Sequence, residues 1–143
     1  MDACGGRPFE MKFVVIDDSD ADRYLIQRAL RSVYGTKATE YVAAYLAADD
    51  FLDPTRTTTL WGDEPIVVFL DINMPRMDGF ELLHRLDRSP VSDRLTVVVL
   101  TSSGLVEDQR RASGHEQVRA CVVKPLTSQK LRDLASQLQL ATA

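Results

Sequence analysis

Four short, nearly unbroken apolar runs constrain this chain more than any other feature: FVVI (13–16), IVVFL (66–70), LTVVVL (95–100) and ACVV (120–123). A strand with one wet face alternates polar and apolar residues. A continuous apolar run describes a strand buried on both faces, and that means a parallel sheet covered by helices on each side. A fifth stretch, ATEYVA (38–43), mixes polar and apolar residues and belongs at a sheet edge.

Helical patterns fill the gaps between the runs. Ser19 followed by Asp22 makes a capping-box pattern, Ile26, Ala29, Leu30 and Val33 form one apolar stripe, and Gly35 is a natural stop. Residues 44–52 read as a short helix. Asp78 and Glu81 open a helix carrying Leu82, Leu83 and Leu86, and Thr127 opens another with Leu131, Leu134, Ala135 and Leu138. The polar stretch 105–117, interrupted by Gly114, reads as helix too. Strand and helix thus alternate five times, the pattern of an α/β fold with right-handed crossovers. Residues 1–10, with Gly5, Gly6 and Pro8, read as a flexible leader, and 11–143 as one domain. DPTRTTTLWGDEP (53–65) reads as a long surface loop in which Trp61 packs.

Composition removes several classes of function. A net charge of −4 supplies no overall field to hold nucleic acid or an anionic membrane. Nothing approaches the roughly 20 apolar residues of a membrane span, and the opening MDACGGRPFE lacks the apolar core of a signal peptide. Cys4 and Cys121 stand in no metal or redox spacing, and two unrelated reduced thiols suit a cytoplasmic protein.

In an open α/β sheet the functional site lies beyond the carboxyl ends of the strands. The first run exits to Asp17 and Asp18, the second to Asp71, the third to Thr101 and the fourth to Lys124. Singly, each has a bland explanation: an aspartate there is usually a cap or turn former, and Lys-Pro is commonplace. Four strand ends carrying compatible chemistry in one chain outweigh those explanations. Three carboxylates against one ammonium leave a net of −2, which a divalent cation would cancel. All-oxygen ligands suit Mg2+ or Mn2+. A carboxylate at the end of a buried strand costs about several kcal/mol unless it is neutralised. Beside a metal it can act as nucleophile towards a phosphoryl group, with the lysine and hydroxyl holding the phosphoryl oxygens.

The segments VVIDDSD, FLDINMPRMDG, VVVLTSS and VVKPLT resemble the receiver domain of two-component response regulators, in order and in spacing, from about residue 12 to 138. The resemblance implies a flavodoxin-like (βα)5 doubly wound parallel sheet of strand order 2-1-3-4-5, a fold for which receivers are themselves the standard example. It implies that Asp71 accepts phosphate from a phosphohistidine on a sensor histidine kinase or histidine phosphotransfer protein. It implies Mg2+, or Mn2+, on Asp18, Asp71 and the backbone carbonyl of Asn73, with Asp17 acting through water. Thr101 would donate its hydroxyl to the phosphoryl group, Lys124 would pair with it, and the Lys124–Pro125 bond would be cis. Such a chain is a phosphoacceptor switch rather than an enzyme, at most slowly phosphorylating and dephosphorylating itself. It works by protein–protein contact, with a homodimer left open and no nucleic-acid or membrane partner. With no linker or second domain in the sequence, a stand-alone receiver is expected. The long loop and the opening DRYLIQRAL (22–30) resemble stand-alone receivers paired with phytochrome-like sensor kinases.

Two features depart from the family. Receivers usually carry Tyr or Phe three residues before the site lysine, where this chain has Cys121. ASGHEQVRAC (112–121) is also not the family's usual entry to the last strand. The switch is therefore expected in Thr101, Ser102, Ser103 and the loop to Leu105, with Cys121 buried and passive. His84 and His115 read as helical surface residues. Three rivals fit less well. A flavin- or nucleotide-binding protein needs an amide-rich phosphate cradle where DDSDAD puts carboxylates. A haloacid-dehalogenase-type phosphatase needs an acid where Asn73 stands. A receiver-like scaffold that never takes phosphate is opposed by the intact acidic set.

Overall fold

The computed structural model describes residues 12–35, 42–45, 65–74, 79–88, 92–102 and 106–138. Its elements are β1 (Lys12–Ile16), α1 (Asp20–Tyr34), β2 (Val42–Tyr45), β3 (Ile66–Asp71), α2 (Gly79–Asp87), a 3-10 turn (Ser92–Arg94), β4 (Leu95–Thr101), α3 (Val106–Ser113), β5 (Val118–Val123) and α4 (Ser128–Gln137). The strands form one parallel sheet in the order β2-β1-β3-β4-β5.

The unbroken apolar runs have a direct explanation. Alternate residues of a strand point to opposite faces, and both faces of the inner strands are covered. Val14, Ile16, Val68, Leu70, Val97 and Val99 pack with Phe80, Leu82, Leu83 and Leu86 of α2 and Ala112 of α3. Phe13, Val15, Val67, Phe69, Val98 and Leu100 pack with Ile26, Ala29, Leu30 and Tyr34 of α1 and with Leu131 and Leu134 of α4. Each of the Val, Leu, Ile and Phe side chains among them contributes about 1.5–3 kcal/mol of burial.

Local signals set the helix ends. Ser19 Oγ accepts the Asp22 N–H at 3.2 Å, and the Thr127 hydroxyl accepts the Lys130 N–H at 3.1 Å. Gly35 stops α1 with φ +86°, a conformation that glycine adopts freely, and its N–H reaches the Arg31 carbonyl at 2.8 Å. Gly79 is needed for a different reason. A Cβ there would sit 2.7 Å from Ile72 Cα, so glycine lets α2 start against the chain leaving β3.

The structure corrects several boundaries. The edge strand expected over 38–43 lies at Val42–Tyr45, so Ala44 and Tyr45 belong to a strand and not to the helix expected over 44–52. Pairing of Phe13 with Val42 and of Ile16 with Tyr45 overrides the weak local pattern. The rest of both segments, the leader 1–10, Cys4, Asp78 and nearly all of the loop 53–65 with Trp61 lie outside the described residues. The helix expected over 105–117 ends at Ser113, because the Gly114 and His115 N–H groups close it with bonds three residues back, to the Arg111 and Ala112 carbonyls. β5 begins earlier than expected, at Val118. Val97 faces Val118 while Val98 faces Ala120, which leaves Arg119 as the extra residue of a β-bulge. That bulge is the structural form of the unusual entry ASGHEQVRAC.

Candidate functional site

Because β1, β3, β4 and β5 run parallel, their carboxyl ends meet at one edge of the sheet. Asp17 and Asp18 follow β1. Asp71 and Thr101 prove to be the last residues of β3 and β4, each strand running one residue further than expected, and Lys124 follows β5. Asp17 is completely buried, Asp71 is 4% exposed, and Asp18 faces solvent. Oxygens of these three carboxylates lie within 4.8 Å of one another. Burial pushes the Asp17 carboxyl above its ordinary value and the Asp71 charge adds to the rise, while bonds from Lys124 and the Ser19 N–H oppose it. Clustered oxygen donors, two of them buried and mutually repelling, fit a hard divalent cation.

Lys124 carries the only ammonium that the described residues bring to these carboxylates. Its Nζ lies 2.8 Å from Asp17 Oδ2, 2.7 Å from Asp22 Oδ2 and 3.3 Å from Asp71 Oδ2. Burial alone would lower its pKa. Hydrogen bonds to Asp17 and Asp22, with the charges of Asp17 and Asp71, outweigh burial and raise it, so the group stays protonated at neutral pH. The backbone N–H of Lys124 donates to the Thr101 carbonyl at 2.8 Å, and the Lys124–Pro125 bond is cis, as expected.

Thr101 is 1% exposed, and its hydroxyl donates to Asn73 Oδ1 at 3.3 Å. The Asn73 N–H in turn donates to Asp71 Oδ1 at 2.9 Å. Asn73 thus bridges the ends of β3 and β4 through its amide N–H and side chain. Ser102 is exposed, and Ser103 to Leu105 lie outside the described residues. Cys121, expected to be buried, is only half-buried, because β5 forms the edge of the sheet. It packs against the α2–α3 face of the core, and burial raises its thiol pKa against a smaller pull from Ser113. His84 is exposed on α2. His115 is half-buried in the turn after α3, not in a helix, with Nδ1 2.9 Å from Asp87 Oδ2.

Three residues near the site escaped sequence reasoning. Arg23 donates to the Asp17 carbonyl at 2.7 Å and pairs with Asp20. Lys130 Nζ donates to the carbonyls of Val123, at 2.8 Å, and Pro125, at 3.1 Å, the two residues flanking Lys124. A lysine in a first helical turn gives no signal of such a role. Asp22 did give one, the capping-box spacing, but it pointed to the helix and not to Lys124.

The profile of the response regulator receiver domain matches residues 13–136. The chain belongs to the response regulator receiver family. It is 32% identical over 127 residues to the probable methanogenesis regulatory protein FilR2 of Methanothrix harundinacea, covering 88% of this chain and 79% of that protein. It is 30% identical over 133 residues to the sensory/regulatory protein RpfC of Xanthomonas campestris, covering 92% of this chain but 17% of RpfC. Among solved structures, the bacteriophytochrome response regulator AtBRR is similar with a TM-score of 0.70 and 27% identity, over 90% of this chain and 92% of that one. Receivers are signalling switches of two-component systems. The α/β sheet with flanking helices described above is the receiver fold. Among the described residues, no helix of this receiver is long and apolar enough to cross a membrane.

Proposed function

We propose that this receiver takes a phosphoryl group onto Asp71 from a phosphohistidine on a sensor histidine kinase or histidine phosphotransfer protein, and signals by contact with another protein. The observation that carries the reading is the meeting of Asp17, Asp18, Asp71 and Lys124 at one sheet edge. An Asp71 carboxylate oxygen forms the new bond to phosphorus as the bond from phosphorus to the donor imidazole breaks. The freed imidazole nitrogen takes a proton from solvent. Lys124, already within reach of Asp71, donates to the phosphoryl oxygens. The Thr101 hydroxyl exchanges its Asn73 partner for one of them. Asp17, Asp18, Asp71 and the backbone carbonyl of Asn73 would hold Mg2+ or Mn2+, which supplies the positive charge that such transfer needs.

The switch then runs through Thr101, Ser102 and Ser103, with Cys121 passive, because the thiol offers no ring to swing and its raised pKa disfavours the reactive thiolate. The α1 segment DRYLIQRAL and the likeness to a bacteriophytochrome response regulator support a phytochrome-type sensor kinase as donor. The unpaired cysteine spacing supports a cytoplasmic setting. Incubation with acetyl phosphate and Mg2+, read by intact mass, should add one phosphoryl group, and Asp71→Asn should abolish the addition. Undiminished labelling of that variant would sink the assignment.

A further inference from the structure

We infer that Asp22 is a positioning residue of the phosphoacceptor site. It holds the Lys124 ammonium on the α1 side, and so strengthens cation binding and weakens phosphoryl binding. The inference rests on the function proposed above and goes beyond it, since Asp22 belongs to none of the roles assigned there.

The local chemistry explains why Asp22 is free for this task. In a complete capping box, the N-cap side chain accepts the N–H three residues on, and that residue's side chain reaches back to the N-cap N–H. Here the first half is present, with the Asp22 N–H on Ser19 Oγ at 3.2 Å. The second half is not, because the Ser19 N–H is taken by Asp17 Oδ1 at 2.9 Å. The Asp22 carboxylate is displaced from its usual partner and turns to Lys124, 102 residues away in sequence, at 2.7 Å. That contact is shorter than the 3.3 Å from Lys124 to Asp71.

An ammonium has three N–H donors, and the Lys124 ammonium sits among three carboxylates, hydrogen-bonded to Asp22 at 2.7 Å and ion-paired with Asp17 at 2.8 Å and Asp71 at 3.3 Å. A phosphoryl group on Asp71 must draw one of the donors away, and Asp22 competes for it. Its negative charge also repels the incoming anion. For a divalent cation both effects reverse. Asp22 adds a negative charge near Asp17 and Asp71, and it draws the ammonium charge off these two cation-facing carboxylates.

The test is calorimetric titration with Mg2+ alone, then with beryllofluoride at saturating Mg2+, on the full chain. Asp22→Asn keeps the size and the capping N–H. It should raise the Mg2+ Kd about threefold and lower the beryllofluoride half-saturation about threefold, in line with loss of a partly exposed ion pair. Asp22→Ala should give the same opposed pair of shifts, and Asp22→Glu should restore both towards wild type. Asp133→Asn removes a carboxylate on α4 whose partner is Gln129 and not Lys124, and should move neither constant. A purely structural role would weaken both ligands together in Asp22→Asn. That result, or two unchanged constants, overturns the inference. If wild type binds Mg2+ but neither beryllofluoride nor phosphoryl, the phosphoacceptor reading fails instead, and the Mg2+ arm alone decides on Asp22.

Discussion

β3 and β5 both end at the site, yet they hold their functional residues by different means. All six residues of β3 are buried, and the strand has a neighbour on each side. None of the six residues of β5 is fully buried, and Val123, beside Lys124, is 39% exposed. Asp71 is therefore fixed by packing. Lys124 is fixed by polar ties: its ion pairs with three carboxylates, its N–H on Thr101, and Lys130 on the carbonyls to either side. Packing is stiff and cannot be exchanged at low cost. Polar ties can be traded one for another. The group that must stay still is held by the first, and the group that must turn to meet a phosphoryl oxygen is held by the second.

The largest effect should separate the two strands by stability. Phe69, fully packed in β3 against Phe13, should cost about 3–5 kcal/mol as Phe69→Ala. Half-buried Val122 of β5 should cost about 1 kcal/mol as Val122→Ala. Urea denaturation of both variants checks this, and equal losses would break the comparison. Next comes the metal. Asp18 is exposed and contributes little packing, so Asp18→Asn should leave folding intact while weakening Mg2+ by roughly tenfold or more, as loss of a ligand does. It should also stabilise the metal-free protein by relieving repulsion, seen as a higher melting temperature in EDTA.

A smaller effect is expected at Lys130. Lys130→Met should change stability by under about 0.5 kcal/mol but slow acetyl phosphate labelling, because the residues flanking Lys124 lose their brace. Labelling at the wild-type rate would mean that the carbonyls flanking Lys124 do not need this polar brace. The smallest effect tests how dry the packed side is. Burial raises the Tyr34 phenol pKa above its ordinary value, and its ring lies 5.0 Å from Phe13. The unfolded phenol ionises first, so stability is full below about pH 10 and falls as pH rises from there towards the folded value. Tyr34→Phe should flatten that alkaline decline in denaturation curves.

The same contrast decides what was legible in the sequence. β1, β3 and β4 announced themselves because both faces of each strand need apolar side chains. Ser19, Thr127 and Gly35 marked helix ends because capping is a local interaction. The carboxylates and Lys124 could be read from strand ends, since parallel strands bring those ends together. What depends on long-range partners could not be read. The position of β2 follows its pairing with β1, and the bulge at Arg119 follows the register of β5 on β4. The turn of Asp22 towards Lys124 follows from Asp17 occupying the Ser19 N–H, a competition that no local pattern records.

The central claim is that the packed β3 end supplies the phosphoacceptor. Borohydride trapping tests it most directly. The protein is phosphorylated with acetyl phosphate and Mg2+, reduced so that an acyl phosphate becomes homoserine, digested, and mapped by peptide mass. Homoserine is expected at position 71 alone, with none at Asp17, Asp18 or Asp22. Conversion at any of those three in place of Asp71 would contradict it.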